Sequence, residues 1–94
     1  MTHPTFDRDG YPTKETLQAI REWESDWHAL FSFLAEAWEY PERWQRDGDE
    51  YRISTGGWSG NESLIEALGE NRIAWLICWQ SSARGGHYVF KVPG

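Results

Sequence analysis

Ninety-four residues suffice for one domain with a single hydrophobic core. Aromatics reach 16% with seven tryptophans, which excludes a disordered chain, and the lone Cys78 excludes both an intrachain disulfide framework and a multi-cysteine zinc site. The net charge of −6 is unevenly placed: residues 14–50 hold ten acids against Lys14, Arg21, Arg43 and Arg46, whereas residues 51–94 sum to +1. Direct nucleic-acid binding needs clustered Lys and Arg and is not expected; a basic protein surface, or mimicry of a polyanion, suits this distribution. No apolar run approaches the roughly 20 residues of a membrane helix, and Met1 is not followed by a basic then hydrophobic leader. The expectation is a soluble protein of the (host) cytoplasm with no membrane contact.

Residues 1–12, with Pro4, Gly10 and Pro12, read as an irregular arm. Thr13 is a natural N-cap, and Glu15 suits the positive end of a helix dipole. Leu17, Ile20, Trp23, Trp27, Leu30, Phe31, Leu34 and Trp38 then recur at three- and four-residue steps. The spacing predicts one helix over 13–40, about seven turns at 3.6 residues each. Pro41 ends it, and Trp44 falls in a charged connection that closes at Gly48.

Residues 51–92 read as a β-α-β-β unit. Tyr51, Ile53 and Thr55 alternate with Arg52 and Ser54, the period of a half-buried strand. Ser59 and Glu62 form S-x-x-E, the pattern of a capping box. Leu64, Ile65 and Leu68 give the following helix its apolar face, and Gly69 is placed to stop it. Ile73 to Gln80 is apolar on both faces, as in a strand covered twice. Tyr88, Phe90 and Val92 alternate in the last strand. With 81–86 as the hairpin loop, Gln80 faces His87, and Trp79–Tyr88, Ile77–Phe90 and Trp75–Val92 share one face. The 56–72 segment is long enough for a helical crossover between parallel strands. The expected fold is α+β in the order α-β-α-β-β: one domain, a three-stranded sheet and a long N-terminal helix on one face. Trp27, Leu34, Trp75 and Ile77 are expected in a shared core.

Two surfaces are candidates for function. Ser54 to Glu62 holds three glycines in five residues around Trp58, ahead of a helix whose first N–H groups are free to bind anions. With the Ser81–Gly86 loop at the same sheet end, Trp58, Ser59, Asn61, Arg84 and His87 converge as a ligand site. No G-x-x-x-x-G-K-[ST] and no nearby Lys accompany them. The second surface is the outer line of the long helix, where Glu22, Asp26, Phe33, Glu36 and Tyr40 follow one another at helical steps. Acids interleaved with two aromatics suit a protein contact. Catalytic residues are not expected: the register separates Cys78 from His87, and Ser59, His87 and Glu62 share only the residue types of a triad. His3, His28 and His87 lack metal-ligand spacing, so neither metal nor cofactor is expected.

The blocks S-T-G-G-W-S-G-N-E at 54–62, L-I-E-A-L at 64–68, W-x-x-C-W at 75–79 and R-G-G-H-Y at 84–88 resemble small proteins encoded by bacteriophages and prophages. The resemblance covers residues 51–92 and leaves out the long helix. It implies a phage setting and no catalytic residues; small acidic phage proteins include inhibitors of host defence, anti-CRISPR proteins among them. The functional expectation is therefore an accessory protein that binds and inhibits a host protein, such as a nucleic-acid-handling defence complex of the CRISPR–Cas kind. The alternative is a small-molecule or nucleotide-binding module at the Gly-rich loop.

Overall fold

The computed structural model describes residues 3–93. The elements run α1 (Lys14–Arg21), α2 (Trp27–Ala37), a 3-10 turn (Pro41–Arg43), β1 (Trp44–Asp47), β2 (Glu50–Ser54), α3 (Ser59–Glu70), α4 (Arg72–Cys78), β3 (Trp79–Ala83) and β4 (His87–Lys91). The α+β expectation holds. The four strands form one antiparallel sheet in the order β1-β2-β4-β3.

The long helix over 13–40 is two helices. α1 stops at Arg21, and Asp26, at φ 56, starts α2 by accepting the Ala29 N–H at 3.2 Å. The apolar period survives the break because Ile20, Leu30, Phe31 and Leu34 still reach one core, so periodicity alone does not reveal it. The chain reversal is closed from a distance: Asn71 Nδ2 donates to the carbonyls of Ile20 and Trp23, both at 2.9 Å. The arm before α1 is also ordered. A tight turn at Asp7–Tyr11 pairs Phe6 with Pro12 and carries Tyr11 onto the Trp58 ring.

A second correction concerns 73–80, which is a helix up to Cys78. Asn71 Oδ1 accepts the Ala74 N–H at 3.2 Å and caps it. An uninterrupted apolar run has no period to separate strand from helix, and here the cap decides. β3 therefore begins only at Trp79, and the hairpin turn shortens to Arg84–Gly86. The register is Trp79↔Phe90, Ser81↔Val89, Ser82↔Tyr88 and Ala83↔His87, with an irregularity between Trp79 and Ser81. The expected Gln80–His87 ladder is replaced, as is the parallel crossover. The connection read at Trp44 supplies a further strand, β1, because Trp44 turns inward against Phe31, Trp38 and Tyr51.

α2 and α4 pack on one face of the sheet, and α1 packs on α3, which packs on α4. Phe31 from α2 stacks on Tyr51 and touches Phe90, and Trp75 from α4 meets Tyr88 and Phe90. Of the expected core four, Leu34 is buried, Trp27 and Trp75 are half-buried at its margin, and Ile77 is exposed. The opposite face carries the alternate residues Gln45, Arg52, Val89 and Ser81 in one row across the four strands and is open to solvent. Among the described residues no helix is long and apolar enough to cross a membrane.

Candidate functional site

The Gly-rich turn after β2 and the Gly85–Gly86 turn before β4 do meet at one sheet end. They do so because β2 and β4 are antiparallel neighbours ending on the pair Ser54↔His87. The Thr55 N–H donates to the Gly86 carbonyl at 3.0 Å, and Ser54 Oγ lies 2.7 Å from His87 Nδ1.

The five ligand residues expected there do not share one role. Asn61 is fully buried: its Oδ1 accepts the Glu39 N–H at 3.0 Å, and its Nδ2 donates to the Glu39 and Thr55 carbonyls at 2.9 and 3.1 Å. It fastens the Gly-rich turn to the end of α2. Trp58 is covered by Tyr11, ring centroids 5.2 Å apart, and Ser59 Oγ sits 3.0 Å from the Tyr11 hydroxyl. The capping box does not form, since Ser59 is already the first helical residue and the Trp58 N-cap makes no side-chain bond. Arg84 projects from the hairpin turn, exposed. His87 lines a recess.

That recess, about 360 Å³, lies on the open sheet face and is lined by Glu42, Arg43, Gln45, Arg52, Ile53, Ser54, Ser81, Ala83, His87, Tyr88 and Val89. Arg52 lines it, with its Nε 2.9 Å from Glu50 Oε2. Arg43 makes no ion pair within 4 Å among the described residues. It lies 6.0 Å over the Tyr40 ring and against Gly56, where an added Cβ would come within 3.0 Å of Arg43 Cδ and Nε. Gly56 therefore lets the turn pass beneath this guanidinium at φ 66. Two arginines and Glu42 line the recess, and Glu50 offsets the charge of Arg52, so Arg43 is the cation left without an ion pair there among the described residues. Arg43 and Arg52 had no signal in the sequence beyond being cations in different segments; only the β1–β2 pairing unites them.

The expected partner line comes apart with the helix that carried it. Glu22 caps the end of α1 and Asp26 the start of α2, while Phe33 is 3% exposed, in the core against Trp23. Glu36 pairs with His3 at 3.1 Å, and Tyr40 belongs to the next turn with φ 68. What persists is an exposed acidic corner at Glu22, Glu24 and Asp26.

Away from the recess, His28 bridges Tyr51 and Asp49, with Nδ1 2.7 Å from the tyrosine hydroxyl and Nε2 3.0 Å from Asp49 Oδ1. Order Asp–His–Tyr resembles a relay, but burial pushes the Tyr51 hydroxyl above its ordinary range, partly offset by Arg46. A group held protonated is a hydrogen-bond donor here, and the cluster pins the β1–β2 hairpin to α2. Cys78 is fully buried and burial pushes its thiol up to about 11, so it stays a protonated core residue at neutral pH. No cluster of metal-ligating side chains occurs among the described residues. Comparison of the chain with known protein families, with curated proteins and with solved structures finds no match.

Proposed function

We propose that the protein acts as a binding module and that the recess on the open sheet face receives an anionic group, a phosphate or carboxylate, of a small molecule or nucleotide. One observation carries this reading: in a chain of net −6, two guanidiniums from different elements, Arg43 and Arg52, gather with His87 around one concavity. Planar guanidinium forks match such oxyanions in pairs of hydrogen bonds. The alternation that points Tyr51 and Phe90 inward leaves no Phe, Tyr or Trp in the row Gln45, Arg52, Val89 and Ser81, which does not suit base stacking of the single-strand RNA kind.

Pyrophosphate is a suitable probe. Its addition should shift the amide resonances of β2 and β4 around Arg52 and His87, less strongly as salt rises. Arg43→Gln/Arg52→Gln should abolish the shifts while circular dichroism stays unchanged, because both side chains are exposed. Shifts of equal size in the double variant would remove the recess from consideration.

A second reading keeps the phage accessory role, binding and inhibiting a host protein of a nucleic-acid-handling defence complex. It is supported by the acidic corner Glu22, Glu24 and Asp26, all exposed at the α1–α2 turn. Charge complementarity of this kind acts chiefly on association rate. In a host carrying such a defence, expression of the protein should restore phage plating, and Glu22→Lys/Glu24→Lys should lose the restoration. Asp26 is left intact in that variant because its carboxylate caps α2. Equal plating with the charge-reversed variant would detach the corner from function.

A further inference from the structure

Residues 73–83 hold no charged side chain, and they form nearly all of α4 and the whole of β3. On α4 the buried positions are Ala74 and Cys78, while Leu76 is 85% and Ile73 62% exposed, with Ile77 beside them. Trp79, at the start of β3, is exposed as well. All five β3 residues are exposed, and the strand pairs on one side only, with β4. Among the described residues no strand pairs with its other edge. Isolated edges are usually blunted by charge or proline. The opposite edge strand, β1, has Arg46 and Asp47; β3 has neither, and its one irregularity lies before Ser81, leaving Ser81–Ala83 regular.

We infer that this strip is covered by a second copy of the chain, joined by antiparallel pairing of β3 with β3 about a two-fold axis. Three physical points select this occupant. Two molecules of net −6 repel, and the repulsion is least where they meet through a segment without charge. An anionic membrane would need a basic rim, whereas only Arg72 and Arg84 flank the strip. A two-fold axis normal to the sheet keeps both helix layers on the same side. α4 lies over the β3–β4 side, where Trp75 meets Tyr88 and Phe90, so strand pairing would bring the two α4 ridges together. The result is an eight-stranded sheet with two recesses on one continuous face. The inference is independent of what those recesses bind.

Sedimentation velocity on the full chain tests it. The expected species between about 1 and 100 μM, a span chosen to bracket the micromolar affinities that such interfaces reach, has twice the chain mass. Leu76→Glu should shift the weight toward single chains by at least tenfold in dissociation constant. With Leu76 so exposed, that variant keeps its fold, checked by its Trp fluorescence and circular dichroism; Ile73→Glu serves as an independent second variant. Hydrogen exchange completes the test: β3 amides should be protected in the parent protein and exchange faster in Leu76→Glu. Single chains throughout the range would overturn the proposal, as would a dimer that Leu76→Glu and Ile73→Glu leave intact or one whose β3 amides exchange freely.

Discussion

Asn61→Ala should cost roughly 3–5 kcal/mol, enough to threaten a domain whose total stability falls near 5–15 kcal/mol. The residue is fully buried and its side chain satisfies three backbone groups: the Glu39 N–H and the carbonyls of Glu39 and Thr55. A group left without its partner loses about 1–3 kcal/mol; the Thr55 carbonyl keeps the Trp58 N–H at 3.3 Å, so the loss falls chiefly on the Glu39 N–H and carbonyl and on the packing of the buried amide itself. Two distant segments, the end of α2 and the turn after β2, lose their common fastener. Asn61→Asp makes the argument sharper. A carboxylate keeps the acceptor for Glu39 N–H but has no donor for either carbonyl and faces both with negative charge. It should destabilise at least as much as alanine although its shape is conserved. Urea denaturation of the two variants measures this. A loss below about 1 kcal/mol for alanine would mean that water enters and takes over the bonds.

Asn61 also belongs to the part of the fold that its sequence conceals. β2, α3 and β4 were legible because each shows its period within a few residues: Tyr51 and Ile53, Leu64 with Ile65 and Leu68, and Phe90 with Val92 all turn inward. Their pairing was not legible. The antiparallel neighbourhood of β2 and β4 depends on the 73–78 run being helical, and that depends on one side chain, Asn71, capping it. Asn71 also closes the α1–α2 break through Ile20 and Trp23, so one polar residue underlies two corrections. An Asn buried for its hydrogen bonds looks, in a sequence, like an Asn in a loop. The Ser25–Asp26 pair before Trp27 was the one local sign of a new N-cap inside the apolar period. As for the site, the meeting of the two Gly-rich turns was legible and its cause was not. The recess arginines come from the 3-10 turn and from β2, 52 being read only as the polar half of an alternation.

Gly86→Ala should cost about 2–5 kcal/mol and loosen the same sheet end from the other side. Gly86 has φ 77, where an L side chain is penalised by about 1–2 kcal/mol. An added Cβ would also lie 2.2 Å from Thr55 Oγ1 and 3.3 Å from Thr55 Cβ. Overpacking of that kind adds about 1–3 kcal/mol. Thr55 cannot retreat freely, since its N–H donates to the Gly86 carbonyl and its Oγ1 accepts the Gly57 N–H at 3.3 Å. A double-mutant cycle with Thr55→Ala separates the two contributions. If collision dominates, Gly86→Ala costs markedly less in the Thr55→Ala background, and only the backbone strain remains. If its cost is the same in both backgrounds, the turn needs glycine for its dihedral angles alone. Either cost is transmitted to the recess through the adjoining pair Ser54↔His87, whose side chains stand 2.7 Å apart. A Gly86→Ala protein that remains folded should therefore bind pyrophosphate more weakly with Arg43 and Arg52 untouched. Unaltered binding in a measurably destabilised variant would show that the two arginines hold the anion without His87.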